Sequence, residues 1–166
     1  MVDDAGNELP PGEAGELIAR GESIAQGYFQ DPEETRAVLR GGWLWTGDLG
    51  HRDSEGFVFL TGRSKEILKI GGHRVSALEI EQTLARHPQV AEVAVVGKPD
   101  DLQGEIAVAF VVVKEGGATD AGELQHHARK TLAAYKVPKD VVFVSRLPRT
   151  GAGKVPRAEL LRGIPK

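Results

Sequence analysis

The sequence has no cysteine and no long apolar run, and only 5% of its 166 residues are aromatic. Without cysteine, disulfides and thiolate metal ligands are excluded, and the five histidines lack the spacing of a zinc site. The longest strongly apolar run, residues 106–113, is far shorter than the ~20 residues that a membrane-spanning helix needs. The acidic first residues do not form a signal peptide. We therefore expect a cytoplasmic protein with no membrane span.

Charge is unevenly distributed along the chain. The net charge of −3 argues against general nucleic-acid binding. Residues 1–61 carry 12 acids and 4 bases, a net charge of −8, so the remainder carries +5. This asymmetry predicts two structural units, with the cations that would face an anionic ligand in the second.

The first third of the chain is predicted to be rich in β-structure. Residues 15–20 and 57–60 are short apolar runs bounded by glycines, which is typical of strands. Between them, Asp31 and Pro32 followed by two glutamates predict a short helix with a capped start.

A joint at residues 63–65 is predicted to separate a β-rich segment, residues 1–62, from a second domain, residues 66–166. In that domain Ser76 and Glu79 form a capping box that opens a helix. The predicted elements there are a strand that begins at Ile67, strands at 90–97, 106–114 and 141–144, and helices at 76–87, 120–134 and 157–162. We therefore predict an α+β fold, in which the small domain has a three-stranded antiparallel sheet with helices on one face.

The segment from residue 61 to residue 81 gathers cations around a pair of glycines. Its members are Arg63, Lys65, Lys69 and Arg74 around the acid Glu66, with Gly71-Gly72 in the middle. Cations beside backbone that can be approached closely suit a phosphorylated ligand. The alternative is a basic surface loop that ends in a capped helix.

Residues 147–154 place two glycines just before Lys154. Such a loop can deliver an ammonium group to an oxyanion. It is a poor match to a phosphate-binding P-loop, because Pro148 holds the place of the first glycine and Val155 replaces the metal-binding Ser or Thr. The alternative is a flexible tail near the end of the chain.

Residues 45–48, Trp-Thr-Gly-Asp, form a third candidate. The carboxylate of Asp48 has two acceptor oxygens that could bind a sugar diol. Taken alone, Thr-Gly-Asp indicates a turn.

Together and in this order, these segments resemble the carboxyl-terminal end of the adenylate-forming superfamily. That superfamily includes acyl- and aryl-CoA synthetases, peptide-synthetase adenylation domains and firefly luciferases. The matching motifs are Thr-Gly-Asp ending at Asp48, the hinge motif at 62–65, the loop and helix at 69–75 and 79–81, and the Pro-x4-Gly-Lys motif at 148–154. The resemblance runs from about Gly15 to Leu161.

The resemblance implies a role for each of these residues. Asp48 would bind the ribose hydroxyls of ATP, and Arg63 would contact the same ribose or the phosphate region. Lys65 would be the hinge about which the second domain turns. Lys154 would be the catalytic lysine that touches carboxylate and phosphate oxygens during adenylation.

The glycine segment is implied to serve the second half-reaction. Gly71 and Gly72, with His73 beside them, would bind the cofactor by lining the tunnel for the pantetheine of CoA. Lys69 stands where luciferases keep a lysine for their second half-reaction, which makes it a second catalytic candidate.

The resemblance implies an AMP-forming acid–thiol ligase. A carboxylic acid and Mg-ATP would give an acyl-adenylate and pyrophosphate, and CoA would then displace AMP. The family's phosphate loop and its Tyr-Gly-x-Thr-Glu motif belong upstream and do not occur here. The partners implied are therefore ATP or AMP, CoA, the carboxylic acid and a missing amino-terminal domain, which would also hold the Mg site. We expect the chain alone to be inactive and its first third either to expose apolar surface or to be poorly ordered.

Two alternatives stay open at this point. A lysine at the hinge favours CoA ligases over adenylation domains that load a carrier protein, which usually carry an aspartate there. The alternative from another class is a non-enzymatic module that binds a nucleotide or a partner through its basic face. The region 136–157 has little of the aromatic and basic interleaving that RNA binding uses.

Overall fold

A computed structural model describes residues 1–162, and the predicted end of the second domain, residues 163–166, lies outside that range. The chain forms two compact units, Met1–Lys65 and Glu66–Lys166. The α+β fold class predicted from the sequence is confirmed.

The first unit contains an antiparallel sheet of four strands and one short helix. The elements are β1 (Ala14–Ala19), α1 (Pro32–Val38), β2 (Leu39–Arg40), β3 (Trp43–Arg52) and β4 (Val58–Arg63). The long strand β3 pairs with each of the other three. The predicted start of α1 is confirmed, because the Asp31 side chain accepts a hydrogen bond from the Glu34 amide and Pro32 opens the helix.

The interpretation of Thr-Gly-Asp as a turn is wrong, because these residues lie inside β3. Two glycines make this possible. Gly47 has a φ of +73°, which a residue with a side chain rarely adopts. A Cβ on Gly50 would come within 2.3 Å of the Phe59 carbonyl oxygen, so only glycine allows β4 to approach there. The pairing register shifts between Leu49 and Gly50, which is the mark of a bulge.

The second unit contains a mixed five-stranded sheet. Its strands are β5 (Ile67–Ile70), β6 (His73–Ser76), β7 (Val90–Asp100), β8 (Gly104–Val113) and β9 (Asp140–Phe143). Its helices are α2 (Ala77–Ala85), α3 (Ala121–Arg129) and α4 (Arg157–Arg162), with 3₁₀ turns at Ser64–Glu66, where the two units join, and at Ala134–Lys136. Ser76 caps α2 by accepting from the Glu79 amide, as the capping box predicts.

The predicted count and direction of these strands were wrong in two respects. The glycine segment folds back on itself and adds the hairpin β5–β6 to the sheet. β9 runs parallel to β8, because the chain crosses over through α3 before it re-enters the sheet. The predicted helix from residue 120 also ends early, at Arg129, although Leu132 continues its apolar spacing and packs into the core.

Apolar side chains cover both faces of the second sheet, so the prediction of helices on one face is also corrected. Val95, Ala109 and Val111 point to the face that α2 and α3 cover. Their neighbours along the two strands point to the opposite face, where they pack against Leu147 and Leu160 of the carboxyl-terminal segment. These neighbours are Ala94, Val96, Val108 and Phe110. Side chains along β7 and β8 therefore alternate between the two faces of the sheet and contribute to two separate apolar clusters.

The first unit has little core of its own. Val2 is its one buried hydrophobic residue. Large apolar side chains are exposed instead, among them Phe29 at 90%, Phe57 at 63% and Leu60 at 52%. The expectation that the first third exposes apolar surface is confirmed.

Candidate functional site

Asp48 and Arg63 lie opposite each other on the neighbouring strands β3 and β4. The Nε atom of Arg63 lies 2.8 Å from Oδ1 of Asp48. The carboxylate is largely shielded, with 22% of its side chain exposed, whereas the Arg63 side chain is 55% exposed. The pair is thus held at an accessible edge, with the guanidinium toward solvent.

The backbone before Asp48 is held by two residues that the sequence analysis did not single out. The Thr46 hydroxyl donates to the Leu17 carbonyl at 2.7 Å and accepts from the Asp48 amide at 3.0 Å. The Glu16 carboxylate accepts from the Gly47 amide at 2.9 Å. Glu16 lies 31 residues before Gly47, so no local pattern reveals this contact.

Lys65, the predicted hinge residue, is the last residue of the first unit. Its side chain is 88% exposed, and its Nζ atom lies 3.7 Å from a carboxylate oxygen of Glu34. An ion pair this exposed contributes little stability. Lys65 is therefore not fixed in place by strong contacts.

The glycine hairpin consists of β5, Gly71-Gly72 and β6. Both glycines have positive φ, +55° and +81°, as a two-residue type I′ turn requires. The Gly71 amide donates to the Gln103 carbonyl at 2.8 Å, which ties the turn to the loop between β7 and β8. Lys69 on β5 has an exposed side chain. The result is a bare backbone turn beside a cation.

His73 does not point freely from this turn. Its ring stacks on the ring of Tyr135, with centroids 4.2 Å apart and planes at 16°. Beyond Tyr135, the Lys136 ammonium donates to both carboxylate oxygens of Glu79 at 2.8 Å. Tyr135 is therefore a further residue beside the turn that the sequence analysis passed over.

Lys154 lies in a segment of residues 148–156, here called the lysine loop. The loop closes on itself, since the Thr150 amide donates to the Lys154 carbonyl and the Gly153 amide donates to the Thr150 carbonyl, both at 2.8 Å. Buried Leu147 and Leu160 flank it. The segment is therefore a closed turn and not an extended tail. The Lys154 side chain is exposed, and it has no ion-pair partner among residues 1–162.

Arg157, three residues after Lys154, contacts two acids. It lies between the carboxylates of Glu66 and Glu81 and also donates to the Val95 carbonyl at 2.7 Å. Burial lowers the pKa of Arg157, but the hydrogen bond and charge of Glu81, followed by those of Glu66, outweigh it and the pKa is raised. The guanidinium therefore stays charged. We call Arg157, Glu66, Glu81 and the Val95 carbonyl the Arg157 cluster. The sequence analysis did not predict it.

The structure brings some of the predicted site residues together and leaves others apart. Asp48 and Arg63 form a pair in the first unit. Lys69, Gly71, Gly72 and His73 share the glycine hairpin of the second unit. Lys154 lies on a different loop of that unit, after β9. The second unit thus carries two separate sets of candidate residues.

These groups suit an anionic ligand with a sugar diol. A carboxylate accepts from hydroxyls, and exposed ammonium and guanidinium groups pair with phosphate oxygens. Within residues 1–162 no group of three or more histidines or acids could hold a metal ion. None of the helices described is long and apolar enough to cross a membrane.

Comparison with known proteins identifies the class. Residues 79–154 match the family described as the AMP-binding enzyme C-terminal domain. This stretch begins in α2 and ends at Lys154 of the lysine loop.

Individual relatives agree with this class. A long-chain-fatty-acid–CoA ligase of Bacillus subtilis is 45% identical over 159 residues, which are 96% of this chain and 28% of the ligase. Among solved structures, an amide bond synthetase from Marinactinospora thermotolerans matches with a TM-score of 0.88 and 40% identity over 96% of this chain and 33% of that protein. The o-succinylbenzoate CoA synthetase from Bacillus subtilis, solved in complex with an acyl-adenylate intermediate, matches with a TM-score of 0.88 and 34% identity over 96% of this chain and 32% of that protein.

The chain belongs to the adenylate-forming superfamily, as its sequence motifs indicate. It spans about a third of the length of the relatives that it matches.

Proposed function

We propose that this chain works as the carboxyl-terminal portion of an ATP-dependent acyl-CoA ligase. The observation that carries the proposal is the exposed Lys154 on a folded loop, in a unit that also presents a bare glycine turn. The CoA ligases among its relatives support the same reading. In the complete ligase, here meaning this chain joined to an amino-terminal portion like that of its relatives, two reactions would follow one another.

In the first reaction, a carboxylate oxygen attacks the α-phosphorus of ATP. A phosphorus–oxygen bond forms to give the acyl-adenylate, and the bond to pyrophosphate breaks. Two anions must approach each other, so a cation close to both lowers the barrier. At 4 Å and an effective dielectric constant of 20, one charge pair is worth about 4 kcal/mol. Lys154 is suited to this role because its ammonium has no competing acid among residues 1–162.

Asp48 and Arg63 would hold the nucleotide. Arg63 engages Oδ1 of Asp48 through Nε, which leaves Oδ2 as the acceptor for a ribose hydroxyl. More than half of the Arg63 side chain is exposed, so its guanidinium could contact the ribose or a phosphate. Residues 1–162 lack a carboxylate cluster for Mg²⁺, so the ion would be held by the amino-terminal portion and by ATP.

In the second reaction, the CoA thiolate attacks the acyl carbonyl, a thioester forms, and AMP leaves. We infer that Gly71 and Gly72 line the path of the pantetheine, because glycines let a ligand approach the backbone closely. His73 and Lys69 would flank this path. The second unit would turn at residues 63–65, with Lys65 as the hinge, so that Lys154 serves the first reaction and the glycine hairpin the second.

The acceptor in the second reaction defines the particular ligase. A thiol is favoured by the CoA ligases among the relatives, whereas the match to an amide bond synthetase supports an amine acceptor as a second candidate. An adenylation domain that loads a carrier protein is the third. Offering the complete ligase CoA, a simple amine and a pantetheinylated carrier protein, and measuring AMP release with each, separates the three. Release with the amine or carrier protein alone would contradict our choice of CoA.

The isolated chain should not form adenylates, since it lacks the family's phosphate loop. ATP–pyrophosphate exchange above background with the purified 166-residue chain would contradict this. If the chain is instead a non-enzymatic module, it should bind nucleotide or RNA by itself, and a salt titration of RNA binding tests that alternative. The absence of cysteine is compatible with a reducing compartment, and we propose the cytoplasm.

A further inference from the structure

The position of the lysine loop depends on how its two ends are held, because the loop contains no strand or helix. At its start, Arg149 donates to the Gly153 carbonyl at 3.0 Å and pairs with Glu92 of β7. At its end, Arg157 opens α4 three residues beyond Lys154. Both ends are therefore attached to the body of the second unit.

The attachment at Arg157 uses both terminal nitrogens of its guanidinium as hydrogen-bond donors, and its Nε atom adds an ion-pair contact. Its Nε and Nη2 atoms each lie 3.1 Å from an oxygen of Glu66. Its Nη1 atom donates to Glu81 and to the Val95 carbonyl, and Nη2 also contacts the second oxygen of Glu81 at 3.3 Å. Arginine has five N–H groups in a rigid plane, so these five contacts fix the orientation of the side chain.

The Arg157 cluster joins three places in the second unit. Glu81 lies on α2, and its carboxylate also accepts from the Val95 amide at 2.7 Å on the outer edge of β7. Glu66 is the first residue of the unit, directly after Lys65. Only 13% of the Glu81 side chain and 27% of that of Arg157 are exposed. Water therefore competes little for these contacts.

We propose that Arg157 is the positioning residue for Lys154, and that Glu66 links this position to the point where the chain enters the second unit. The inference rests on the proposed function. Displacement of a catalytic group by about 1 Å can cost on the order of 10²-fold in rate. Arg157 sets the end of the loop, and through it the Cα position from which the Lys154 ammonium reaches outward.

The test is Arg157→Lys in the complete ligase. Lysine keeps the charge but has three donors on a compact ammonium, so it cannot span Glu66, Glu81 and Val95. We expect adenylate formation, followed by ATP–pyrophosphate exchange, to fall on the order of 10- to 100-fold. Thioester formation from added acyl-adenylate should stay unchanged, because Lys154 takes no part in it. Arg146→Lys is the matched control, since Arg146 is exposed and nearby in sequence.

A role limited to folding would lower both half-reactions together, and that result would overturn the proposal, as would unchanged adenylate formation. Glu66→Gln is the second variant and decides the matter if Arg157→Lys does not fold. It keeps the ion pair between Arg157 and Glu81 and should lower adenylate formation without affecting thioester formation, by a smaller factor.

Lys154→Ala separates the positioning role of Arg157 from the proposed function. If that change alone abolishes adenylate formation while Arg157→Lys does not, only the positioning role fails. If Lys154→Ala has no effect, the proposed function fails.

Discussion

The two units of this chain bury apolar surface very differently. The second unit packs two apolar clusters, one on each face of its sheet. The first unit buries a single hydrophobic residue and exposes phenylalanine and leucine side chains along β4. Exposed apolar patches of this kind mark surfaces that contact another protein or another part of the same protein.

This difference fits the different roles that we propose for the two units. The second unit has a core of its own, and we propose that it moves as a whole while it carries Lys154 and the glycine hairpin. The first unit holds Asp48 and Arg63 on a sheet that we expect to be completed by the amino-terminal portion of the ligase. Four predictions test the comparison, from the largest expected effect to the smallest.

Loss of a buried leucine should affect the two units unequally. Leu84 in α2 is fully buried, whereas Leu60 in β4 is 52% exposed. We expect Leu84→Ala to lower the free energy of unfolding by about 2–5 kcal/mol. Leu60→Ala in the 166-residue chain should change it by no more than about 0.5 kcal/mol. Urea denaturation followed by circular dichroism and by the fluorescence of Trp43 and Trp45, both in the first unit, measures this. Equal losses would contradict the comparison.

Loss of an arginine should show the same contrast for ion pairs. Arg157→Ala removes the cation between the carboxylates of Glu66 and Glu81, and we expect it to cost about 2–4 kcal/mol, less than the loss of a fully buried ion pair because these side chains are partly exposed. Arg52 of the first unit pairs with Glu8, whose side chain is 73% exposed. Arg52→Ala should cost at most about 1 kcal/mol. Thermal denaturation of both variants compares the two losses of stability. A larger loss for Arg52→Ala than for Arg157→Ala would contradict the prediction.

Each unit has a hairpin turn made of two glycines, which permits a matched experiment. Gly42 and Gly72 both have a φ of +81°, and a Cβ on either would meet open space. Alanine at either position should therefore cost a similar amount, about 1–2 kcal/mol, from backbone strain alone. In the complete ligase, only Gly72→Ala should also slow thioester formation. If Gly42→Ala slows it as much, the glycine hairpin has no special role.

The smallest effect concerns acid stability. The pKa of Asp3 in the first unit is lowered chiefly by hydrogen bonds from Asn7. That of Asp100 in the second is lowered chiefly by the Gln103 amide. A carboxyl whose folded pKa lies below its unfolded value stabilises the fold above the unfolded pKa and loses that contribution as the pH falls through the folded pKa. Both should therefore titrate below 3.8 in an NMR titration, and a value above 3.8 for either would contradict its contacts.

Local patterns predicted a good part of the fold. The helix starts at Asp31 and Ser76 and the apolar runs of β7 and β8 depend on neighbouring residues, and all appear in the structure. Strand β3 was missed because Thr46, Gly47 and Asp48 are turn formers by composition. Their extended pairing depends on β1 and β4 instead.

The site was predictable only as a set of residue types. Motifs identified Asp48, Arg63 and Lys154, but several of the contacts around them join residues that are distant in sequence. Arg157 lies 76 residues from Glu81 and 91 from Glu66. Two acids and an arginine so far apart carry no local signal, so this cluster emerges only when the chain is folded.

The most direct test of the account is ATP–pyrophosphate exchange by the complete ligase with Lys154→Ala, beside Arg146→Ala as the control. The account predicts that loss of the Lys154 ammonium lowers exchange by about 10²–10³-fold, as removal of one preorganised charge-stabilising group does. Arg146→Ala should leave exchange unchanged. Exchange at the unmodified rate in Lys154→Ala would contradict the account.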